Sequence, residues 1–365
     1  MTTIFSRTRA KCIAALVLTF VLVLPSLANE AVDKAVAAEM QRQNIPGVAV
    51  AVIQNGKVIK LKGYGLANVE LNVPVTTDTA FKIGSISKPM IAIGVMKLVD
   101  EGKIKLDDRV SKYFPEAPET WKDITIKHLL SHTSGLLREA PAFDALKVQA
   151  DYDVIKSAFT EPLVFKPGEK YQYCNVGYFS LAEIISRVSG KPWAQYLEEV
   201  LFRPNKMTAT RVTSNTEIIA NRANGYDISG GKLSNAESFR AVRPSGAFYS
   251  SLTDMVSWRL ALESGVTIKK GTVRSMWNPV RLKDGNYAPY GLGWAVGNLR
   301  GINVIGHGGS LSGFRSDLTI FEDNNLTVIV LTNLASSEPA AISMAVADVF
   351  IDFPEPAPKP LTSNQ

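Results

Sequence analysis

The spacing of hydrophobic residues in the first third of the chain predicts a helix, a β-hairpin and a second helix. Ala31–Gln43 carries apolar residues at helical spacing, which is typical of an amphipathic helix. The apolar run Val48–Ile53 and the following Lys57–Gly63 flank Asn55-Gly56, and this dipeptide between strand-forming runs predicts a tight hairpin. Ile86–Glu101 is again apolar at helical spacing, so two strands are expected ahead of this second helix.

The pattern changes between Lys105 and Ala247, where loops and helices replace the strands. The helices predicted in this region and just after it are Tyr178–Val188, Trp193–Phe202 and Leu252–Leu262. Strand patterns return late in the chain, before a closing helix. The predicted late elements are the strands Tyr290–Val296, Ile302–Gly306, Phe314–Glu322 and Leu326–Asn333, and the helix Ala340–Ile351.

This order of elements predicts an α+β fold with one antiparallel sheet built from both ends of the chain. Residues 29–104 and 248–353 would form the sheet lobe, and residues 105–247 would form an inserted helical lobe. A cleft between two lobes is the expected place for a functional site.

The two termini are predicted to lie outside this fold. Residues 1–28 combine a basic start, the apolar run Ile13–Leu24 and the small residues of Pro25-Ser26-Leu27-Ala28, a pattern typical of a secretory signal peptide. The run is too short for a spanning helix, so we expect export to a bacterial periplasm or the extracellular space, with no stable membrane anchor once the leader is removed. The proline-rich residues 354–365 are expected to form a flexible tail.

Charge and cysteine content narrow the possible functions. The formal net charge is +6, and the leader holds three basic residues and no acid, so its removal leaves +3. The remaining positive charges are scattered, which argues against a nucleic-acid partner. Cys174 is the only thiol after the leader, which leaves no internal disulfide, and the three histidines lack zinc-ligand spacing. We therefore expect no metal and no cofactor.

The first chemical candidate is the pair Ser85 and Lys88 at the entrance of the helix Ile86–Glu101. Residues three apart share a helix face, so a hydroxyl and an amine can meet there, and a lysine of lowered pKa can activate a serine. The same spacing also arises from a serine helix cap followed by an exposed lysine. Indeed Ser229-Gly230-Gly231-Lys232 repeats it in a glycine-rich turn with no helix after it, so spacing alone decides nothing.

Two further stretches offer partners for this pair. Tyr173 and Asn175 precede an amphipathic helix, and a tyrosine whose pKa is lowered by nearby cations could relay a proton while the amide holds a substrate carbonyl. The alternative is a buried aromatic residue and a helix cap. The segment Gly306–Ser310 is expected where one strand ends and the next begins. There, glycines would allow close approach of a substrate and His307 would supply a donor or a titratable cation, or the segment would be a plain β-turn with a solvent-facing histidine.

Together these motifs resemble the serine β-lactamase and penicillin-binding protein superfamily, and most closely its class C-like branch, across roughly Val48–Ile351. Ser85-Ile86-Ser87-Lys88 matches S-x-x-K, Tyr173-Cys174-Asn175 matches Y-x-N, and His307-Gly308-Gly309 stands at the place of the K-T-G triplet, in the family's order. The resemblance implies a β-lactamase/transpeptidase-like fold.

The same resemblance implies a role for each matching residue. Ser85 would be the acylated nucleophile, Lys88 its base or proton partner, and Tyr173 a proton carrier to the leaving group and the deacylating water. The substrate-binding residues implied are Asn175, His307, Gly309 and Ser310, the last sharing an oxyanion hole with the backbone N–H of Ser85.

Departures from the family pattern bear on the substrate. His307 stands where β-lactamases of this type carry lysine, and Gly308 stands where they carry Thr or Ser, so a fixed ammonium and a hydroxyl for a substrate carboxylate are missing. We therefore expect an ester or small amide or peptide substrate more than efficient β-lactam turnover. A β-lactamase or D-alanyl-D-alanine carboxypeptidase acting on β-lactams or D-amino-acid peptides stays open, as does a non-catalytic module that binds cell-wall fragments.

Other catalytic interpretations fit the sequence less well. A Ser-His-acid hydrolase of the G-x-S-x-G type is disfavoured because the nearest segment, Gly308–Ser312, lacks the final glycine. His132 lies in a Ser/Thr/Gly-rich segment typical of capping, and Cys174 has no histidine partner in its sequence context, so both are expected to be structural.

Overall fold

A computed structural model describes residues 27–354 of the chain, except Asn215. Its helices are α1 (27–43), α2 (Ser87–Asp100), α3 (Ile126–Leu130), α4 (Asp151–Ser157), α5 (Asn175–Ser189), α6 (Trp193–Leu197, continued by a π-helical turn Glu198–Phe202), α7 (Leu252–Ser264), α8 (Lys270–Met276) and α9 (Pro339–Ala347). Its strands are β1 (Gly47–Gln54), β2 (Lys57–Asn68), β3 (Val73–Pro74), β4 (Phe81–Lys82), β5 (Arg211–Val212), β6 (Tyr226–Ser229), β7 (Lys232–Asn235), β8 (Phe248–Ser250), β9 (Ala295–Leu299), β10 (Ile302–Leu311), β11 (Phe314–Phe321) and β12 (Leu326–Thr332).

The predicted sheet from both chain ends is confirmed. Seven strands pair in the order β3-β2-β1-β12-β11-β10-β9, and each neighbouring pair is antiparallel. The junction between the early and late strands is β1 with β12, where Val50 lies opposite Val330. The early and late strands of the chain therefore meet inside the sheet, at β1 and β12. The segment between β3 and β9 contributes no strand to this sheet.

Hydrophobic layers cover both faces of the sheet, which explains why β1 reads as a continuous apolar run. Ala49 and Ala51 face one core, shared with α2 and α5, whereas Val48 and Val50 face a second core against α1 and α9. Because side chains alternate along a strand, a strand buried on both faces must be apolar throughout.

Several element bounds differ from the sequence prediction. The strand expected over Tyr290–Val296 begins only at Ala295, because Gly293 just before it adopts a left-handed φ of 89° that breaks a regular strand. In contrast, the strand expected to end at Gly306 continues to Leu311, because its glycine-rich half pairs residue by residue with β11. The segment that holds His307 is therefore the interior of a strand and not a turn.

The middle of the chain packs onto the sheet through α2. This helix contacts α5 and α6, and it is buried along almost its whole length. A small three-stranded sheet, β4-β8-β5, lies beside the start of α2 and ties the middle region to the residues around Ser85, with the N–H of Ile83 donating to the carbonyl of Phe248 at 3.0 Å. The division into lobes at 105 and 247 stays a prediction.

The terminal predictions fall almost entirely beyond this description. Residues 1–26 of the expected leader and residues 355–365 of the expected tail lie outside the described residues. Within the described part of the chain, no helix has the length and apolar character needed to cross a membrane.

Candidate active site

Ser85 lies in a single 3-10 turn, Gly84–Ile86, directly before α2. The turn packs so closely against β10 that a side chain on Gly84 would come within 2.5 Å of the backbone nitrogen of Ser310. Gly84 also has a left-handed φ of 52°, which favours glycine at this position. Ser85 is thus fixed between the start of α2 and the glycine-rich half of β10.

Lys88 reaches back from the first turn of α2 to the Ser85 side chain. Its Nζ lies 3.1 Å from Ser85 Oγ and donates a second hydrogen bond, at 2.7 Å, to the backbone carbonyl of Ser245. The side chain is completely buried, and its Nζ lies 4.6 Å from the centre of the Tyr173 ring. The amine is therefore fixed in direct contact with the hydroxyl it would have to activate.

The surroundings of Lys88 favour the neutral amine. Burial lowers the pKa of Lys88 well below its usual range, and the nearby guanidinium of Arg243 lowers the pKa further, while Glu139 opposes the shift. A neutral amine can donate one N–H to the Ser245 carbonyl and still accept the Ser85 proton. The lowered lysine pKa that the S-x-x-K pair needs is therefore provided by burial first and by a neighbouring cation second.

Tyr173 completes this group, but its pKa shift is opposite to the expectation. Its hydroxyl interacts with the Ser85 hydroxyl, and the Arg138 guanidinium lies 5.3 Å from its ring centre. Burial nevertheless raises the pKa of Tyr173, and the opposing effects of Ser85 and the two arginines, Arg138 and Arg243, are smaller. The expected lowering by cations is wrong because desolvation of the phenolate is the larger effect, so Tyr173 stands beside Ser85 as a neutral phenol.

His307 is buried in β10 and is not the partly charged group that the sequence suggested. Its Nε2 lies 2.8 Å from the Tyr290 hydroxyl, and its Nδ1 lies 2.6 Å from the Gly308 carbonyl. Burial lowers the pKa of His307 to about 3, with a further contribution from Lys88. The neutral ring therefore donates from Nδ1 to the carbonyl and accepts the Tyr290 proton at Nε2, which fixes its tautomer.

Gly309 and Ser310 form the wall opposite Ser85. A side chain on Gly309 would lie 2.0 Å from the carbonyl oxygen of Ile83 and 2.1 Å from Ser316 Oγ, whereas one on Gly308 would meet nothing closer than 3.8 Å. Ser316 Oγ itself donates to the Ile83 carbonyl at 2.8 Å. Gly309 is thus required for the close contact between β10 and the turn Gly84–Ile86, and Ser85 and Ser310 both line the cleft.

Asn175 lies in a charged network next to the pair. Its side-chain amide donates to Glu139, which also accepts two hydrogen bonds from Arg243, at 2.9 and 2.8 Å. Asn175 is thus held in place by a carboxylate, and the same carboxylate holds the arginine that lowers the Lys88 pKa.

Cys174 and His132 are both buried beneath the motif. Burial raises the pKa of the Cys174 thiol to about 12, and its Sγ donates to the Leu137 carbonyl and caps α5 at the Gly177 N–H. The His132 Nδ1 accepts from the Cys174 N–H at 3.0 Å, and burial lowers the His132 pKa well below its usual range. Neither group reaches Ser85 through any hydrogen bond in the described part of the chain.

Five residues that surround the site were not predicted from the sequence. These are Arg138, Glu139, Arg243, Tyr290 and Arg315, which lie on loops or on the neighbouring strand and belong to no short motif. Charge and polarity alone could not predict that these residues lie at the site, because the conformation of the loops determines where they are.

The site opens into a cleft of about 600 Å³. It is lined on one side by Ser85 and Tyr173 and on the other by β10, with Arg138 and Arg315 as the cationic side chains on its walls. No cluster of three or more metal-ligating side chains occurs among residues 27–354, Asn215 aside.

Replacing Gly309 by alanine should disable the site while the matched change next to it should not. The new methyl of Gly309→Ala would collide with the Ile83 backbone, push β10 from the nucleophile turn and separate the two backbone donors, whereas Gly308→Ala has room. We expect Gly309→Ala to lose labelling of Ser85 by a fluorophosphonate, measured by intact mass, and Gly308→Ala to keep it. Equal labelling of both variants would contradict this account of the wall.

Comparisons with known proteins agree with the geometry. A family model described as Beta-lactamase matches residues 32–352. Protein flp of Staphylococcus aureus (strain MW2) is 29% identical over 318 residues, which cover 84% of this chain and 64% of that protein, so the chain spans less than two thirds of this relative.

Solved structures show the same fold. The octameric penicillin-binding protein homologue from Pyrococcus abyssi matches with a TM-score of 0.78 and 27% identity, covering 87% of this chain and 76% of that one. The D-amino acid amidase from Ochrobactrum anthropi SV3 matches with a TM-score of 0.77 and 23% identity, covering 88% of this chain and 97% of that one, a likeness that shows the fold alone. The chain belongs to the Beta-lactamase family, within the superfamily of serine β-lactamases and penicillin-binding proteins.

Proposed function

We propose that this protein is an exported hydrolase that cleaves an ester or a small amide or peptide through an acyl-enzyme on Ser85. The observation that carries the proposal is the contact of Lys88 Nζ with Ser85 Oγ at 3.1 Å inside a buried environment. A serine becomes nucleophilic when an adjacent base of suitable pKa takes its proton, and this contact supplies that base. The leader-like residues 1–28 support export.

The geometry supports a two-step reaction. In the first step Lys88 accepts the Ser85 proton, Oγ attacks the substrate carbonyl carbon, and the backbone N–H groups of Ser85 and Ser310 receive the developing oxyanion. Tyr173, a neutral phenol beside Oγ, donates a proton to the departing alcohol or amine and regains one from Lys88. In the second step a water loses a proton to the same groups and attacks the acyl carbon, which releases the acid and restores Ser85.

The third motif argues for esters and small amides over β-lactams. A neutral His307 and a glycine at 308 provide no cation and no side-chain donor where a β-lactam carboxylate would bind in related enzymes. The fold shared with a D-amino acid amidase makes small D-amino-acid amides a reasonable substrate class to include.

A second candidate is a penicillin-binding peptidase for D-amino-acid peptides. Arg138 and Arg315 line the cleft and could bind a substrate carboxylate in place of the missing ammonium. The third candidate, a non-catalytic module for cell-wall fragments, is disfavoured by the complete set of Ser85, Lys88 and Tyr173 in contact.

Replacing Ser85 by alanine should abolish hydrolysis. We expect a loss of at least about 10³-fold in kcat/KM for a p-nitrophenyl ester and for D-phenylalanine amide, because the covalent step is removed. The control is Cys174→Ala, which removes the buried thiol inside the Y-x-N motif and should keep the activity. Full activity of Ser85→Ala would refute the acyl-enzyme.

Intact mass after exposure to a fluorophosphonate and to a penicillin separates the candidates. A fluorophosphonate adduct on Ser85 without a lasting penicillin adduct supports the ester or small-amide hydrolase. Adducts with both reagents would favour the penicillin-binding peptidase, and no adduct with either would favour the non-catalytic module.

The pH dependence of acylation should respond to Arg243. Lys88 must be neutral to act as a base, so the rate should rise with pH through the lowered pKa of Lys88. Arg243→Gln removes a cation that lowers the pKa of Lys88, and it frees Glu139, which raises this pKa. The rising limb of the plot of acylation rate against pH should therefore move to higher pH. The exposed Arg274→Gln, which only loses an ion pair with Glu322, should leave the limb in place. A limb that stays in place for Arg243→Gln would contradict the assignment of Lys88 as the base.

A further inference from the structure

A second polar cavity lies behind the wall of the active site, next to the small sheet β4-β8-β5. It has a volume of about 480 Å³ and shares no lining residue with the cleft that holds Ser85 and His307. Its walls come from β4, the 222–225 segment, the 235–240 segment and the turn after β10. The proposed hydrolase reaction uses none of the side chains in this cavity.

The floor of the cavity is formed by Lys82, which is 5% exposed. Its Nζ lies 5.7 Å from the centre of the Tyr249 ring and 5.9 Å from that of Phe314. No carboxylate forms an ion pair with it among the residues that the structure describes. A buried ammonium without an anion is costly, and two distant ring contacts offset only part of that cost.

Further cations surround the opening. The exposed Arg222 and Arg240 line the cavity, and Arg222 is held beside β4 by its bridge to Ala80. One acidic residue, Glu237, lies on the same wall, so positive charge is in excess. The amides of Asn224 and Asn235, also on the wall, hydrogen-bond to Glu70, which does not itself line the cavity.

We propose that this cavity binds a phosphate group, either as inorganic phosphate or on a small phosphate monoester. Lys82 would contact the oxyanion at the floor, and the guanidinium groups of Arg222 and Arg240 would close over it at the rim. Guanidinium groups match the geometry of phosphate oxygens, and three cations against one acid favour a multiply charged anion over a single carboxylate. The volume admits a phosphate with a small substituent.

The ionisation of Lys82 agrees with such a site. Burial lowers the pKa of Lys82 to about 8, and Arg222 contributes to the lowering. A bound phosphate would raise this pKa again, because it favours the charged ammonium. Affinity for phosphate should therefore weaken as pH rises through about 8.

The proposal is tested by isothermal titration calorimetry of the full chain at pH 7 and constant ionic strength. One titration uses inorganic phosphate and a second uses glycerol 1-phosphate. We expect one site for at least one of the two ligands, and which one binds better distinguishes free phosphate from a monoester. Lys82→Met, which keeps the apolar stem, should weaken binding by at least about tenfold, because it removes a charge-assisted hydrogen bond.

Matched variants keep the test decisive. Lys232→Met, in the exposed hairpin β6-β7, removes the same charge from a residue that does not line the cavity and should bind as the unaltered protein does. If Lys82→Met does not fold, the exposed Arg222→Gln replaces it and should weaken binding several-fold. Absence of binding by the unaltered protein, or equal loss in Lys82→Met and Lys232→Met, would overturn the proposal. These outcomes do not depend on any hydrolase activity.

Discussion

The rest of the site is arranged around the contact of the buried Lys88 amine with the Ser85 hydroxyl. The amine bridges the hydroxyl of Ser85 and the carbonyl of Ser245, and so joins the first turn of α2 to the segment that enters β8. An ammonium in this position would lack a directly bound carboxylate, so the fold holds the amine where its neutral form is favoured. Arg243 adds to this effect, and Glu139 holds both Arg243 and the Asn175 amide in place, so one carboxylate connects the surroundings of Lys88 to Asn175.

The second constraint is the close approach of β10 to the nucleophile turn. Two glycines, Gly84 and Gly309, are positioned where any side chain would strike backbone atoms of the opposite element. Ser316 holds the two elements together from the adjacent strand. Glycine at these positions costs backbone entropy on folding, and it allows β10 to pack directly against the turn that holds Ser85.

Much of the fold could be predicted from the sequence because hydrophobic patterns report burial directly. The continuous apolar run of β1 and the hairpin at Asn55-Gly56 predicted the early strands, and the late alternating runs predicted the rest of the sheet. The extension of β10 past Gly306 could not be predicted, because glycine has no strand propensity of its own and the pairing with β11 decides its conformation.

The motif residues of the site could be named from spacing, but their ionisation could not. The state of Tyr173 and His307 depends on burial and on Tyr290, and neither is visible in a short motif. Arg243 and Glu139 escaped prediction for a related reason, since they lie far apart along the chain and meet only through loops.

The most direct test of this account is the pKa of Lys88 itself. Protein labelled with ¹³C at lysine Cε can be titrated by NMR, with the Lys88 signal assigned by its absence in Lys88→Met. The account predicts a titration midpoint well below the value of about 10.4 for an exposed lysine. A Lys88 signal that titrates together with the exposed lysines would show that the amine is charged at neutral pH and would contradict its role as the base for Ser85.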